Sequence, residues 1–223
     1  MTPNDFIAKI KPFAMDEQAR SGILCSITIA QAALESGWGS AAPNNNLFGI
    51  KAFANERSCM QETKEFVNGQ WVSIHARFRA YDNWGESIED HSKFLIENSR
   101  YRRAGFFDCA KHLDYMGCAS ALQAAGYATD PNYAKLLGNI IVAHDLHEID
   151  EEVQNMLDEL KEKIEKLEKI VDDLSDNASM SSIPDWAKDS VDAAVKAGLV
   201  KEPKGGSYDF YRLVTILHRK GVI

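Results

Sequence analysis

Glu35 closes a run of residues whose types and spacing suit acid catalysis. The stretch Ile27-Thr28-Ile29-Ala30-Gln31-Ala32-Ala33-Leu34-Glu35-Ser36 reads as a buried, Ala-rich helix stopped by Gly37. Ile27, Ala30 and Leu34 form an apolar stripe at helical spacing. Thr28, Gln31 and Glu35 share another face, and a polar stripe on such a helix is expected to line a cleft. Glu35 sits at the helix C-terminus, where the partial negative charge of the backbone opposes an ionised carboxylate. Partial burial acts in the same direction. Both effects favour the protonated form, which a general acid needs near neutral pH. The alternative is a solvated glutamate at a helix end.

The elements that would position such an acid follow in order. Gly37 to Asn46 is a Gly/Ser/Pro/Asn-rich loop. Thr63–Phe66 and Gln70–Phe78 alternate as strands around Asn68-Gly69, a strong hairpin signal. Asp5–Lys11 and Asp16–Gly22 read as short helices interrupted by Pro12. Glu86–Asn98, Cys118–Ala125 and Asn132–His147 read as further helices. The expected fold is mainly α, an α+β domain with a small β-hairpin lobe over residues 1–147.

The string Glu35-Ser36-Gly37-Trp38-Gly39-Ser40, followed by Asn44-Asn45-Asn46-Leu47-Phe48-Gly49-Ile50-Lys51, resembles the glucosaminidases of glycoside hydrolase family seventy-three. Further matches come in order: Thr63-Lys64-Glu65-Phe66, then Phe78-Arg79-Ala80-Tyr81-Asp82 with Ser87-Ile88-Glu89-Asp90, then Gly126-Tyr127-Ala128-Thr129-Asp130-Pro131-Asn132-Tyr133-Ala134. The resemblance runs from about Asp5 to Ala143. It implies a lysozyme-like catalytic domain that hydrolyses bacterial peptidoglycan, without a metal or cofactor.

Glycosidic cleavage needs an acid for the leaving oxygen and a second group that stabilises the oxocarbenium-like state or activates water. Glu35 is the expected acid. The resemblance places the second carboxylate at Glu65, with Glu62 as its rival on the same strand, and a functional tyrosine at Tyr127. It also implies glycan contacts at Asn46 and Phe48, while Gln31 on the polar stripe, Trp71 on the hairpin and Tyr133 are further candidates for substrate binding. Leu47 and Phe48 suit a core equally well, Tyr127 suits turn packing, and Trp84 and Asp90 read as structural.

The 223 residues carry a formal net charge of −8, which argues against nucleic acid as the main partner. No run of apolar residues reaches membrane-spanning length. Met1 to Phe6 lacks a basic stretch followed by an apolar one, so a secretory signal is not expected. For a wall hydrolase this suggests a phage endolysin held in the host cytoplasm until release to the wall. A trimmed chain is the alternative. Cys25, Cys59, Cys109 and Cys118 match no zinc spacing, and Cys25 is expected to be buried. His144 and His147 read as helix-surface residues.

Residues 148–176 change character. Val153, Leu157, Leu160, Ile164, Leu167, Val171 and Leu174 alternate steps of four and three, a heptad seam. This predicts either a homodimeric coiled coil through 153–174 or a single helix lying on the first domain. Residues 177–223 read as a Ser/Asp/Asn linker and a helix–loop–helix. Trp186, Val191, Val195, Leu199, Phe210, Leu213, Ile216 and Leu217 are the residues expected to be buried there. Its outline loosely resembles one S-layer-homology repeat, which implies cell-wall binding, with an oligomerisation cap as the alternative.

Overall fold

The computed structural model describes residues 1–67 and 70–223, without the side chains of 64–67 and 71. The expected Asn68-Gly69 turn therefore lies outside the described residues. The chain divides into two compact units, Met1–Leu157 and Asp158–Ile223. The first unit takes in the opening turns of a helix that the heptad pattern assigned to a separate segment from residue 148.

Helix α1 (Pro3–Ser21) is one helix, not two. Thr2 caps it through a capping box with Asp5. Pro12 and Ala8 are both exposed, so the carbonyl that Pro12 leaves without a donor meets water. Phe6, Ile10 and Ala14 form a continuous buried stripe across the proline and hold the helix together.

Helix α2 (Cys25–Ser36) carries Glu35 through the middle of the core. Its Leu24 cap offers no side-chain acceptor. The missing acceptors come from elsewhere: Cys25 N–H donates to Gln18 Oε1 at 2.8 Å and Ser26 N–H to Asp150 Oδ1 at 2.9 Å. The helix ends where Gly37 adopts the left-handed conformation, φ 55°. Gly39 is also left-handed, and a Cβ there would lie 2.9 Å from Trp84 and 3.0 Å from Phe6. These two glycines turn the chain sharply after Glu35.

Strands β1 (Ser58–Val67) and β2 (Gln70–Arg79) pair antiparallel as a two-stranded sheet, in register from Ser58↔Arg79 to Val67↔Gln70. β1 starts earlier than the alternation suggested. Helices α3 (Trp84–Glu97), α4 (Ser99–Arg103), α5 (Phe106–Lys111), α6 (Tyr115–Ala124) and α7 (Tyr133–Ala143) follow. α4 and α5 are too short to show a period in the sequence. α7 stops before His144, because Asp145 turns left-handed at φ 50°.

Helix α8 (His147–Ala178) begins beyond that break. Ile149, Asp150 and Val153 are buried in the first unit and Leu157 packs against its core. Val153 and Leu157 thus leave the expected seam to pack on the first unit. The later seam residues Leu160, Ile164, Leu167, Val171 and Leu174 are all exposed. His144 and His147 are half-buried rather than on the surface. Each packs on an aromatic ring, His144 on Trp38 and His147 on Tyr115.

In the second unit, a 3-10 turn (Asp185–Ala187), α9 (Lys188–Lys196) and α10 (Tyr208–Arg219) enclose a small core. Ala187, Val191, Ala194, Tyr211 and Val214 fill it. The Tyr211 hydroxyl donates to the Pro203 carbonyl at 2.7 Å and accepts from Gly206 N–H at 3.2 Å, pinning the turn between the helices. Trp186, Val195, Leu199, Leu213 and Ile216 were expected inside but are exposed. A helix pair this small has room for a single apolar stripe per helix, and Tyr211 with smaller Ala and Val residues occupies it.

Candidate active site

The first unit holds a cleft of about 750 Å³. Glu35 lines it together with the loop Phe48-Gly49-Ile50-Lys51, Thr63 and Phe78 of the hairpin, and Tyr127-Ala128-Thr129 opposite. The helix end, the loop, the hairpin and the turn before α7 therefore converge on one carboxylate.

Glu35 opens to the cleft. The protein around its carboxyl still removes enough solvation to raise its pKa above the ordinary carboxylate range. One hydrogen bond opposes this: the Tyr133 hydroxyl donates to Glu35 Oε1 at 2.9 Å. Tyr133 in turn accepts from Gln31 Nε2 at 3.0 Å.

The polar stripe of α2 is thus used differently from the expectation. Gln31 and Thr28 are fully buried. Tyr133 on α7 packs on that face of α2, so Gln31 meets a protein hydroxyl and not the cleft. Only Glu35 of the three lines the cleft. Tyr133 is itself buried, so its hydroxyl orients the acid instead of facing a glycan.

Asn46 is also buried, and it shapes the loop from within. Its Nδ2 donates to the carbonyls of Ile50 and Arg79, each at 3.0 Å, and its Oδ1 accepts from Ile50 N–H at 3.1 Å. The side chain closes the Leu47–Ile50 loop and ties it to the end of β2. Asn46 therefore positions the wall of the cleft, and it also lines a small pocket of about 70 Å³ together with Glu35, Gln61 and Phe78. Phe48 is only 5% exposed, yet it lines the cleft. It stacks on His91 with ring centres 3.9 Å apart.

His91 is fully buried, and neither ring nitrogen has a partner among the described residues. Burial drives its pKa down to about 3, so it acts as a neutral flat ring behind Phe48 and edge-on to Tyr127. Tyr127 lines the cleft as expected and stacks on Tyr133 with centres 5.7 Å apart. Its hydroxyl is held protonated, chiefly by desolvation and then by the Glu35 charge.

The hairpin is anchored at its base. Arg79 Nη1 bonds Asp90 at 2.7 and 2.8 Å, and its Nε and Nη2 bond Glu56. The Tyr81 hydroxyl also donates to Asp90, at 2.6 Å. Asp90 and Trp84 are structural, as their sequence context suggested; Trp84 packs against Phe6. Glu65 pairs with Val72 in the ladder, two residues beyond Thr63. The side chains of Glu65 and Trp71 lie outside the described ones. Glu62 is exposed and does not line the cleft.

Arg79 and Arg100 line the cleft without having been expected there. Arg79 lay inside a recognised motif but was read only as part of it. Arg100 lay in Ser99-Arg100-Tyr101-Arg102-Arg103, a basic cluster whose direction no periodicity reveals.

Residues 11–146 match the family described as Glucosaminidase, mannosyl-glycoprotein endo-beta-N-acetylglucosaminidase. The chain belongs to this glucosaminidase family. Among curated relatives, the exo-glucosaminidase LytG of Bacillus subtilis is 38% identical over 149 residues, covering 66% of this chain and 53% of LytG. A probable N-acetylmuramidase of Lactococcus lactis is 34% identical over 152 residues, covering 65% of this chain and 34% of the relative. The catalytic domain of the Listeria monocytogenes autolysin Auto superposes with a TM-score of 0.57 at 35% identity, covering 66% of this chain and 87% of that one. The chain thus spans about half or less of the length of these curated relatives, and the glucosaminidase likeness rests on its first unit.

Proposed function

We propose that this glucosaminidase-family chain is an endo-β-N-acetylglucosaminidase of bacterial peptidoglycan, cutting the GlcNAc-β-1,4-MurNAc linkage. The observation that carries the reading is Glu35: a desolvated carboxyl, hydrogen-bonded by Tyr133, on the wall of a cleft of about 750 Å³. Its raised pKa suits the acid that protonates the leaving oxygen. Glu65 is the second carboxylate in this reading. Thr63 lines the cleft, and alternation along a strand sends the neighbouring Glu62 to the other face, which supports Glu65 over its rival. Tyr127 offers the substrate a ring and a protonated hydroxyl.

The name of the lactococcal relative supports a second reading, a muramidase on the same fold. A lytic transglycosylase, which needs one acid/base glutamate and no activating water, would tolerate loss of Glu65. The test is release of soluble glycan fragments from purified peptidoglycan by wild type, Glu35→Gln and Glu65→Gln. Activity lost in both variants is the expected result. Activity kept in Glu65→Gln would contradict the two-carboxylate account, and wall binding without turnover in wild type would point to a binding or structural protein.

The seam of α8 is proposed to pair with a second copy as a short coiled coil. Leu160, Ile164, Leu167, Val171 and Leu174 support this, being apolar, heptad-spaced and exposed. The second unit is proposed as the wall-binding module, supported by its exposed Trp186, Leu199 and Leu213. Two copies on one dimer would raise avidity for a polymeric wall.

A further inference from the structure

The cleft wall carries a cation that no carboxylate neutralises among the described residues. Arg79 is committed to Glu56 and Asp90. Arg100 differs: among the described residues no carboxylate lies within ion-pair distance of it. Its Nη2 donates to the Tyr101 hydroxyl at 2.6 Å, and its guanidinium lies 4.7 Å from the Tyr101 ring centre and 5.9 Å from that of Phe94. Nη1 reaches the Gly126 carbonyl at a long 3.4 Å, and Nε is buried without a partner among the described residues. The group is held in place by rings while its hydrogen-bonding capacity stays largely unspent.

A row of tyrosines connects this cation to the acid. Glu35 is bonded by Tyr133, Tyr133 stacks on Tyr127 at 5.7 Å, and Tyr127 lies 6.2 Å from Tyr101, which accepts from Arg100. Tyr127 and Arg100 line the same cleft as Glu35. A glycan bound with its scissile bond at Glu35 and a sugar over Tyr127 would carry its next substituent toward Arg100. A neutral sugar gives a guanidinium no counter-charge. The muramyl side chain does, either through carboxylates of the stem peptide or, where the peptide is absent, through the free lactyl acid.

We propose that Arg100 binds a carboxylate of the muramyl side chain and so makes the cleft prefer peptidoglycan over neutral glycans. The planar fork of arginine suits a carboxylate better than an ammonium would. The inference rests on the peptidoglycan-hydrolase reading above.

The test compares wild type, Arg100→Gln and Arg100→Lys in the full chain on three soluble substrates. The first is peptidoglycan fragments with stem peptides. The second is the same glycan stripped by an amidase, which frees the lactyl acid. The third is the stripped glycan with those acids converted to methylamides. The expected result is a KM higher by about tenfold for Arg100→Gln on a carboxylate-bearing substrate relative to the methylamide, with kcat little changed. Arg100→Lys should recover part of the loss.

Selectivity confined to the first substrate identifies the stem peptide as the source, and selectivity confined to the second identifies the lactyl acid. Equal losses on all three substrates overturn the proposal and leave Arg100 as a support for Tyr101. If Arg100→Gln fails to fold, Arg100→Lys carries the same comparison, since an ammonium without the planar fork should raise KM only where a carboxylate is present. A wild-type chain that turns over none of the substrates removes the hydrolase reading and this proposal with it, a pattern distinct from unselective loss in the variants.

Discussion

The Tyr133 hydroxyl donates to Glu35 Oε1 at 2.9 Å while accepting from Gln31 Nε2 at 3.0 Å. The acid is therefore held by a chain that starts on its own helix, one turn earlier, and crosses to α7. The bond stabilises the carboxylate against the desolvation that favours the acid. It lets Glu35 give up its proton without leaving a bare charge in the cleft wall.

Tyr133→Phe removes that donor. The Glu35 pKa should rise further, so the alkaline limb of the kcat profile, where the acid loses its proton, should move to higher pH. Gln31 Nε2 would be left buried without a partner, at a stability cost of about 1–3 kcal/mol. A pH–rate profile beside a thermal melt checks both; an unmoved limb would contradict the positioning role.

Glu35→Gln should lower kcat by a factor on the order of 10² to 10⁴ while leaving the melting temperature close to wild type. The side chain opens to the cleft, and the hydrogen bond from Tyr133 can still be accepted by the amide oxygen. Steady-state kinetics on purified peptidoglycan, with a melt as control, measure it.

Asn46→Ala should destabilise the first unit by about 2–3 kcal/mol, since the side chain makes three hydrogen bonds and leaves buried backbone groups when removed. That corresponds to a melting temperature lower by roughly 5–10 °C. KM should rise as well, because Phe48 would lose its fixed place beside the cleft. A melt with unchanged midpoint would show that the loop closes without Asn46.

Asp150 gives the first unit a pH dependence of stability. Its pKa is raised to about 6, chiefly by desolvation, against the opposing hydrogen bonds from Ser26 and the charge of His147. The folded chain therefore holds this proton more tightly than the unfolded one. The contribution is fully present below the ordinary Asp value near 4 and is lost as pH rises through about 6. It amounts to up to about 3 kcal/mol at the rate of 1.36 kcal/mol per unit. Asp150→Asn keeps an acceptor for Ser26 N–H and should flatten this slope. Denaturant melts from pH 4 to pH 7 on both chains test the sign.

Leu160→Lys with Leu167→Lys should convert the full chain from dimer to monomer in a sedimentation run at tens of micromolar, with the secondary structure of the first unit intact. A wild-type chain that is monomeric under those conditions would contradict the coiled coil.

The helix through Glu35 and the motifs around the cleft were legible because they join a strong local signal to chemistry. Glycine caps, an Ala-rich apolar stripe and an alternating hairpin all act over a few residues. What the sequence hid depends on distant partners. Pro12 does not break α1, because the buried stripe of Phe6, Ile10 and Ala14 outweighs the local penalty. Gln31 is polar on a cleft-bearing helix, yet α7 covers it with Tyr133. Asn46 belongs to a recognisable loop, but its three backbone bonds arise only once β2 returns beside it. In the second unit, small residues and Tyr211 take the core, which the sizes of Trp186 and Leu213 would not suggest.

The proposed chemistry is that of a two-carboxylate glucosaminidase with Glu35 as its acid. Mass spectrometry of borohydride-reduced products from purified peptidoglycan tests it most directly. Products should end in reduced GlcNAc, formed by the wild type and absent with Glu35→Gln and with Glu65→Gln. Products ending in reduced or anhydro-muramic acid would contradict it.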